Sequence, residues 1–522
     1  MELDLVHVGI LSIIPPLVAI ALALMTKEVI FSLFLGIISG TLIYSIAAGL
    51  GIVATFHVTS DLMIAKVGEN ASMFVFLAML GALVAVVTRA GGSRAYGLWA
   101  SRQLKSAKGA GFSTVLLGLI LFIDDYFNCL TVGTIMRPIT DTYKVSREKL
   151  AYLIDSTAAP ISIIAPVSSW AAAVISYYPL NAEMSGMQAF VSSIPMNLYA
   201  LLTIFMIIWL SFRPQDDYGP MRKAQLRAER GQVKADDPEN TSDEIARMIV
   251  SEKGLVMDMV IPVISLVIFC IMAMLFYGGF YGSEGKIGAR IFEAFGHTDA
   301  GKALSLGGVG ALIVAFAMFV PRKIIGFTDF FATVTNGIKS MIPALIILSL
   351  AWTISGVCQE LLGTGVYVSG LIEQAKFPVM FIPVIMFASA AGLSFAIGTS
   401  WGTFGILIPI VTMVCATVAP WLTITSLSAV LAGGVFGDHC SPISDTTVLS
   451  STGAQCKFIN HVQTQIPYAV TVAVICFVGY IIAGLTSTMG YGVSVAITLP
   501  TSLAMLITVL IVLPKVLNRA KN

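Results

Sequence analysis

The feature that most restricts the fold is a set of apolar runs, each near the roughly 20 residues that a membrane-spanning helix needs. Only 11% of the 522 residues are charged and 57% are hydrophobic, whereas soluble domains are roughly 25% charged. The sequence predicts an all-α polytopic membrane protein with about 11 transmembrane helices. The apolar runs are residues 7–25, 29–49, 71–89, 150–178, 196–212, 256–280, 303–320, 341–360, 421–453, 466–486 and 490–512.

A polar segment, residues 437–447 with the sequence GDHCSPISDTT, interrupts the apolar run 421–453. It carries Asp438, Asp445 and His439, although an ionisable group at the bilayer centre costs roughly 2.5–3.5 kcal/mol on insertion scales. Pro442 also removes a backbone donor and cannot continue a helix. A broken helix with acids is tolerated inside a membrane where it lines a cavity or a binding site. We therefore expect a site at this break.

Two further apolar stretches, 111–140 and 377–418, are interrupted by polar residues near their middles. We interpret both as re-entrant hairpins, which enter and leave on one side of the membrane. Basic loops follow the third span and the first hairpin, and basic residues also fill 213–253 and the C-terminal tail. Under the positive-inside rule these loops share one side if the N-terminus is outside, the C-terminus is cytoplasmic and 111–140 does not cross.

Residues 159–162 (APIS) match residues 441–444 (SPIS), and a polar-tipped hairpin precedes each. The shared order of elements predicts two inverted-topology repeats, an architecture common in secondary transporters. The predicted divisions are 1–212 for the first repeat with hairpin 111–140 and broken helix 150–178, 213–253 for a solvated cytoplasmic linker, 254–486 for the second repeat with hairpin 377–418 and broken helix 421–453, and 487–522 for an extra C-terminal helix.

The polar residues at these breaks are of the kind that binds a small hard cation, which takes oxygen ligands. Unwound helices add free carbonyl groups, and we expect the two hairpin tips and two breaks to form one composite site. The candidates in the second half are Thr399, Ser400, Thr403, Asp438, Ser441, Ser444, Asp445, Thr446 and Thr447, with sodium placed at Asp438, Ser441 and Asp445. The candidates in the first half are Asp124, Asp125, Asn128, Asp155, Ser156, Thr157 and Ser162.

Some of these groups can also hold a proton, because burial disfavours the charged form of a carboxylate. The proton-coupling candidates are Asp155, Asp438, His439 and Asp445. Competition between a proton and sodium for one oxygen would couple their movements. Simpler roles stay open: His439 can orient a neighbouring acid, and Asp124 or Asp125 can cap a helix. Neighbouring residues such as Asp438, His439 and Cys440 rarely converge on one metal ion, so a transition-metal site is not expected.

Residues 437–447 resemble the signature of the NhaC-type sodium/proton antiporter family, part of a wider ion transporter superfamily. The resemblance extends through Asp124, Asp125 and residues 159–162. It implies exchange of sodium for protons in bacteria. It also implies a homodimer in which a transport domain carrying the hairpins moves against a scaffold domain. Similar transporters exchange malate for lactate or carry amino acids, so the resemblance indicates the family more narrowly than the cargo.

The expected function is a secondary antiporter of the bacterial inner membrane that exports sodium in exchange for protons without a cofactor. Its partners would be the two ions and the lipid bilayer. The alternative is a sodium- or proton-coupled carrier of a small organic anion or amino acid, with Trp401 or Tyr126 beside the substrate. An ion channel stays open as another class. No phosphate-binding loop, nucleophile–base pair or basic patch indicates an ATPase, another enzyme or a nucleic-acid partner.

Overall fold

The computed structural model describes residues 4–26, 28–92, 94–96, 99, 104–179, 184–233, 251–282, 294, 298–364, 366–367, 378–442 and 444–519. Helices make up the regular structure of these residues, and none of these residues forms a strand. Ten of the described helices are long and apolar enough to cross a membrane, or up to 11 when a bent pair at residues 186–212 counts as one span. The prediction of an all-α polytopic membrane protein is confirmed.

The first half contains four helices, a helical hairpin, a broken helix and a bent helix pair. Hydroxyl side chains start several of these helices: Ser106, Ser146 and Ser168 each accept a hydrogen bond from a main-chain amide in the first turn. The helices are α1 (Ile14–Thr26), α2 (Val29–Ala47), α3 (Ala54–Glu69), α4 (Ala71–Ala90), α5 (Ala107–Ile120), α6 (Asp125–Thr142), α7 (Arg147–Ser162), α8 (Ser169–Tyr177), α9 (Gly186–Ser193) and α10 (Leu198–Phe212).

The described part of the segment after α10 is folded against the helical core. Its helix α11 (Gly219–Glu229) buries Met221, and the preceding Tyr218 is also buried. The Gln225 side chain accepts a hydrogen bond from the main-chain N–H of Ser146 and donates one to the carbonyl of Lys144. This arrangement differs from the solvated connector expected for 213–253, because the apolar and amide side chains of α11 find partners at the start of α7.

A buried ion pair joins this segment to α7. The Nζ of Lys149 lies 2.6 Å from Oδ2 of Asp217, and the hydroxyl of Tyr468 donates to Oδ1 of the same carboxylate over 2.8 Å. We expect Lys149→Met to destabilise the protein by about 3–5 kcal/mol, because a buried carboxylate loses its counterion. Thermal unfolding in detergent would measure the loss. The exposed pair of Lys302 with Asp299 gives the control Lys302→Met, for which little change is expected; equal shifts of Tm in both variants would contradict the prediction.

The second half has the same order of a helix group, a hairpin and a broken helix, and two more helices follow it. Helices α3 and α14, both before the hairpin of their half, are absent from the apolar runs of the sequence. The helices are α12 (Met257–Tyr277), α13 (Ala300–Phe319), α14 (Phe327–Ser340), α15 (Ile342–Gly356), α16 (Ile382–Ile397), α17 (Ser400–Val418), α18 (Thr423–Cys440), α19 (Asp445–Ala454), α20 (Phe458–Thr486) and α21 (Tyr491–Arg519).

The second hairpin turns at residues 398–399, where Gly398 has a φ of +73° that favours glycine. Each of its two arms is long and apolar enough to cross a membrane by itself. The re-entrant course of both hairpins and the inverted orientation of the two halves therefore stay predictions.

The broken helix of each half packs against the hairpin of the other half. Helix α19 crosses α6 so closely that a Cβ on Gly133 would lie 2.5 Å from Gly453. In the converse contact, the ring of Trp170 on α8 packs edge-on against Trp401 and Phe404 at the start of α17. These contacts bring both broken helices and both hairpins together in one buried region.

Candidate functional site

The break between α18 and α19 contains a carboxylate surrounded by hydroxyl groups. Asp438 lies in the last turn of α18, and its Oδ2 accepts hydrogen bonds from Ser400 Oγ over 3.2 Å and from Thr446 Oγ1 over 3.3 Å. Ser444 caps α19 by accepting from the main-chain N–H of Thr447, and its Oγ lies 3.2 Å from Thr446 Oγ1. We call Ser400, Asp438, Ser444 and Thr446 the Asp438 group; all four side chains are buried.

The backbone around the Asp438 group also suits a cation. Helix α18 ends at Cys440, so the partial negative charge of its C-terminus and its last carbonyl groups lie beside Asp438. The hydroxyl of Ser400 lies 3.1 Å from the carbonyl oxygen of Gly434 in the preceding turn. The group therefore combines one carboxylate, several hydroxyls and nearby main-chain oxygens, which is the ligand chemistry of a small hard cation.

A second buried carboxylate, Asp155 of α7, lies among groups from three other helices. Its Oδ2 accepts from Gln465 Nε2 over 2.6 Å and from Thr447 Oγ1 over 3.1 Å. The Nε2 of His461 lies 3.4 Å from the same oxygen, and the Nε2 of His439 lies 4.0 Å from Oδ1. We call Asp155, His439, Thr447, His461 and Gln465 the Asp155 group.

Hydrogen bonds hold both the ring and the main chain of His439 in place. The hydroxyl of Tyr199 lies 3.0 Å from its Nδ1, and Gln465 Nε2 donates to the main-chain carbonyl of His439 over 2.9 Å. Because Asp155 is itself fully buried, an uncompensated negative charge on its carboxylate would be expensive. A carboxylate between two imidazoles can bind and release protons while remaining paired.

The Asp155 group and its surroundings include residues that the sequence analysis missed. The sequence analysis predicted Asp155, His439 and Thr447, but not His461 or Gln465 of the group, nor Tyr199, which contacts His439. His461 and Gln465 are four residues apart and so share one face of α20. This spacing was the available signal, although both residues precede the apolar run 466–486 and look like part of a polar loop.

The candidates of the first half mainly connect their own hairpin and break. Ser169 Oγ donates to Asp124 Oδ2 over 3.1 Å, which joins the hairpin to the start of α8. Asn128 Nδ2 donates to the carbonyl oxygens of Gly118 and Thr157 over 2.8 and 3.1 Å. Ser162 Oγ donates to the carbonyl of Phe122 over 3.1 Å, so these groups brace the local backbone. Their roles as sodium ligands stay predictions.

The remaining candidates lie on the same hairpins and broken helices. Asp125 begins α6 and Ser156 follows Asp155, and both are buried. Thr403 donates to the carbonyl of the partly exposed Thr399, and Ser441 is buried in the α18–α19 break. Asp445 begins α19, but its side chain lies outside the described residues, so its predicted sodium and proton roles stay predictions. In the described part of the chain, no group of three or more His, Cys, Asp or Glu could hold a metal ion.

Comparison with known families identifies the class to which this site belongs. A family model described as the Na+/H+ antiporter family matches residues 169–485. The chain belongs to the Na+/H+ antiporter family. The residues matched by the family model include the whole Asp438 group. Of the Asp155 group they include His439, Thr447, His461 and Gln465, while Asp155 precedes them. The protein is a multi-pass membrane transporter of this family.

Three individual proteins are also similar to this chain. An uncharacterised protein of Haemophilus influenzae is 38% identical over 497 residues, which are 93% of each chain. The arginine/ornithine antiporter ArcD of Halobacterium salinarum is 29% identical over 34% of this chain and 36% of its own length. The malate-2H+/Na+-lactate antiporter of Bacillus subtilis is 26% identical over 30% of this chain and 34% of its own. The last two likenesses cover only about a third of each protein.

Proposed function

We propose that this member of the Na+/H+ antiporter family exports sodium in exchange for protons across a bacterial inner membrane. The proposal includes an outside N-terminus, a cytoplasmic C-terminus and a homodimer. The observation that supports this proposal is that two buried groups of polar residues lie next to each other. One is an oxygen-lined carboxylate at Asp438, and the other is an acid between two imidazoles at Asp155. Both are contacted from the same short break between α18 and α19.

Sodium binds in the Asp438 group. The Asp438 carboxylate supplies the counter-charge, and the hydroxyls of Ser400 and Thr446, already 3.2 and 3.3 Å from it, turn their lone pairs toward the ion. Ser441 and Ser444 supply further oxygens from the break. Because Ser400 is the first residue of α17, the tip of the second hairpin forms one wall of the sodium site. Movement of the hairpin tip would therefore open or close the sodium site.

The proton binds in the Asp155 group, and the chain couples it to sodium. Asp438 and His439 are adjacent residues, as are Thr446 and Thr447, and each pair contributes one member to each group. Two unit charges about 8 Å apart repel by about 2 kcal/mol at an effective dielectric constant of about 20. A sodium ion at Asp438 therefore disfavours an added proton beside His439, and the reverse is equally true. Exchange follows if the transporter changes its orientation with one of the two cations bound.

The test is sodium-driven proton flux in liposomes that contain the purified protein and a pH-sensitive dye in the lumen. We expect the lumen to acidify when a sodium-loaded liposome is diluted into sodium-free buffer, because protons enter as sodium leaves. Choline-loaded liposomes should give no signal. A sodium current without proton movement would instead indicate a channel. No flux of either ion from a folded protein would contradict the proposal.

The second candidate function is coupled transport of a small organic substrate. Partial likeness to an arginine/ornithine antiporter and to a malate-2H+/Na+-lactate antiporter supports it. The same liposomes distinguish the two functions. Flux that appears only after malate, lactate, arginine or ornithine is added would favour the organic substrate, while flux with sodium and protons alone would favour ion exchange.

A further inference from the structure

A cavity of about 630 Å³ lies between α1 and the two arms of the second hairpin, α16 and α17. We call it the α1–hairpin slot. Closely packed protein interiors contain few voids larger than a water molecule, so a space of this size has room for a ligand. We propose that the slot binds one acyl chain of a membrane phospholipid. This binding is independent of the ion exchange proposed above.

The shape of the slot suits an extended chain. Its three long walls come from residues 13–20 at the start of α1, 386–393 of α16 and 407–414 of α17. Within each wall the lining residues recur three or four positions apart and so share one helix face. At 1.5 Å per residue each wall is about 10 Å long. Because α16 and α17 are each long and apolar enough to cross a membrane, a slot along their faces runs in the direction in which acyl chains extend.

The lining of the slot favours an apolar ligand. None of the described residues that line it carries a charge. The hydroxyl of Thr364, at one end, already donates to the main-chain carbonyl of Ser12 over 2.8 Å. A charged or strongly polar solute would therefore lose its hydration without gaining hydrogen-bond partners. Apolar cavities also hold water poorly, so a hydrocarbon chain is the ligand that matches this lining.

The rim of the slot is open to the surface of the protein. Leu17 is 54% exposed, and Ser389 and Gly392 on the facing wall are exposed as well. A Cβ on Gly392 would meet no atom within 4 Å, whereas a Cβ on Gly437 would lie 2.3 Å from the carbonyl oxygen of Ala391. Gly392 thus weakens its helix without permitting a close backbone contact, and its missing side chain leaves space at the rim. In a multi-pass membrane protein the molecules at such an apolar rim are phospholipids, whose acyl chains can enter that space.

Photolabelling of the full-length protein in phosphatidylcholine bilayers tests the proposal. The probe is a phosphatidylcholine with a diazirine in the middle of one acyl chain, and peptide mass spectrometry locates the label. We expect more label on the slot walls of α16 and α17 than on the exposed face of α21. Gly392→Phe places a ring in the slot and should lower the label there about tenfold. Gly492→Phe is the control, because a Cβ at this position of α21 also meets no atom within 4 Å, and it should leave the slot label unchanged.

Three outcomes would overturn the proposal. One is a slot label in the wild-type protein no stronger than the label on α21, and another is an equal slot label in the wild-type protein and Gly392→Phe. The third is a slot without lipid label through which two copies of the chain crosslink, since a second copy would then be its occupant. If Gly392→Phe does not fold, Ser389→Leu adds a smaller apolar side chain to the same wall and should also lower the slot label.

Discussion

Asp438→Asn is expected to reduce sodium-driven proton flux at least about tenfold, because a buried cation loses the carboxylate that neutralises it. Asparagine keeps the shape of the side chain and can still accept hydrogen bonds from Ser400 and Thr446, so the fold should be retained. The flux is measured in liposomes at equal protein content, and equilibrium binding of radioactive sodium to the same protein tests the cause. Both quantities should fall together.

Two control variants accompany Asp438→Asn, one expected to lose part of the flux and one expected to lose none. Ser400→Ala removes one of the proposed hydroxyl ligands and should give a smaller loss of flux than Asp438→Asn. Glu28→Gln changes an exposed acid at the start of α2 that makes no side-chain capping bond, and it should behave as wild type. Wild-type flux in a correctly inserted Asp438→Asn protein would remove this carboxylate from the mechanism.

The helix break at Asp438 could be predicted because placing ionisable residues inside a membrane costs so much free energy. Two acids, a histidine and Pro442 within an apolar run leave few arrangements other than an interrupted helix. The same reasoning located the polar tip of the second hairpin. In the structure the chain turns there at Gly398, which has a positive φ, and Ser400 lies beside Asp438. Local chemistry thus indicated both the break and one of its tertiary contacts.

Other features could not be predicted because they depend on long-range packing. His461 and Gln465 are 23 and 27 residues beyond Asp438 in the chain (461 − 438 and 465 − 438), and α20 places them beside Asp155 from the opposite half. Lys66 likewise meets Glu360 across 294 residues. A span of apolar residues shows where a helix crosses, but the partner of each polar side chain depends on how the helices pack. Helices α3 and α14 contain too many polar residues to give the same signal.

Asp155→Asn is expected to separate sodium binding from proton movement. The variant leaves the Asp438 group intact, so it should still bind radioactive sodium. It removes the negative charge between His439 and His461, and an added proton on either buried imidazole would then have no counter-charge. We therefore expect sodium-driven proton flux to fall about tenfold or more, and the dependence of sodium binding on pH to become weaker than in wild type.

His461→Gln distinguishes a proton-carrying role for the Asp155 group from a purely structural one. Glutamine can still donate a hydrogen bond to Asp155 Oδ2 but cannot titrate, so packing is largely kept while one proton site is lost. We expect the protein to unfold at nearly the wild-type Tm and yet to show a flattened pH profile of exchange. Retention of the wild-type pH profile, together with a large drop in Tm, would mean that His461 only supports the fold. A flattened profile with normal stability would place the proton among Asp155 and its two histidines, where His439 directly follows Asp438, the proposed sodium ligand.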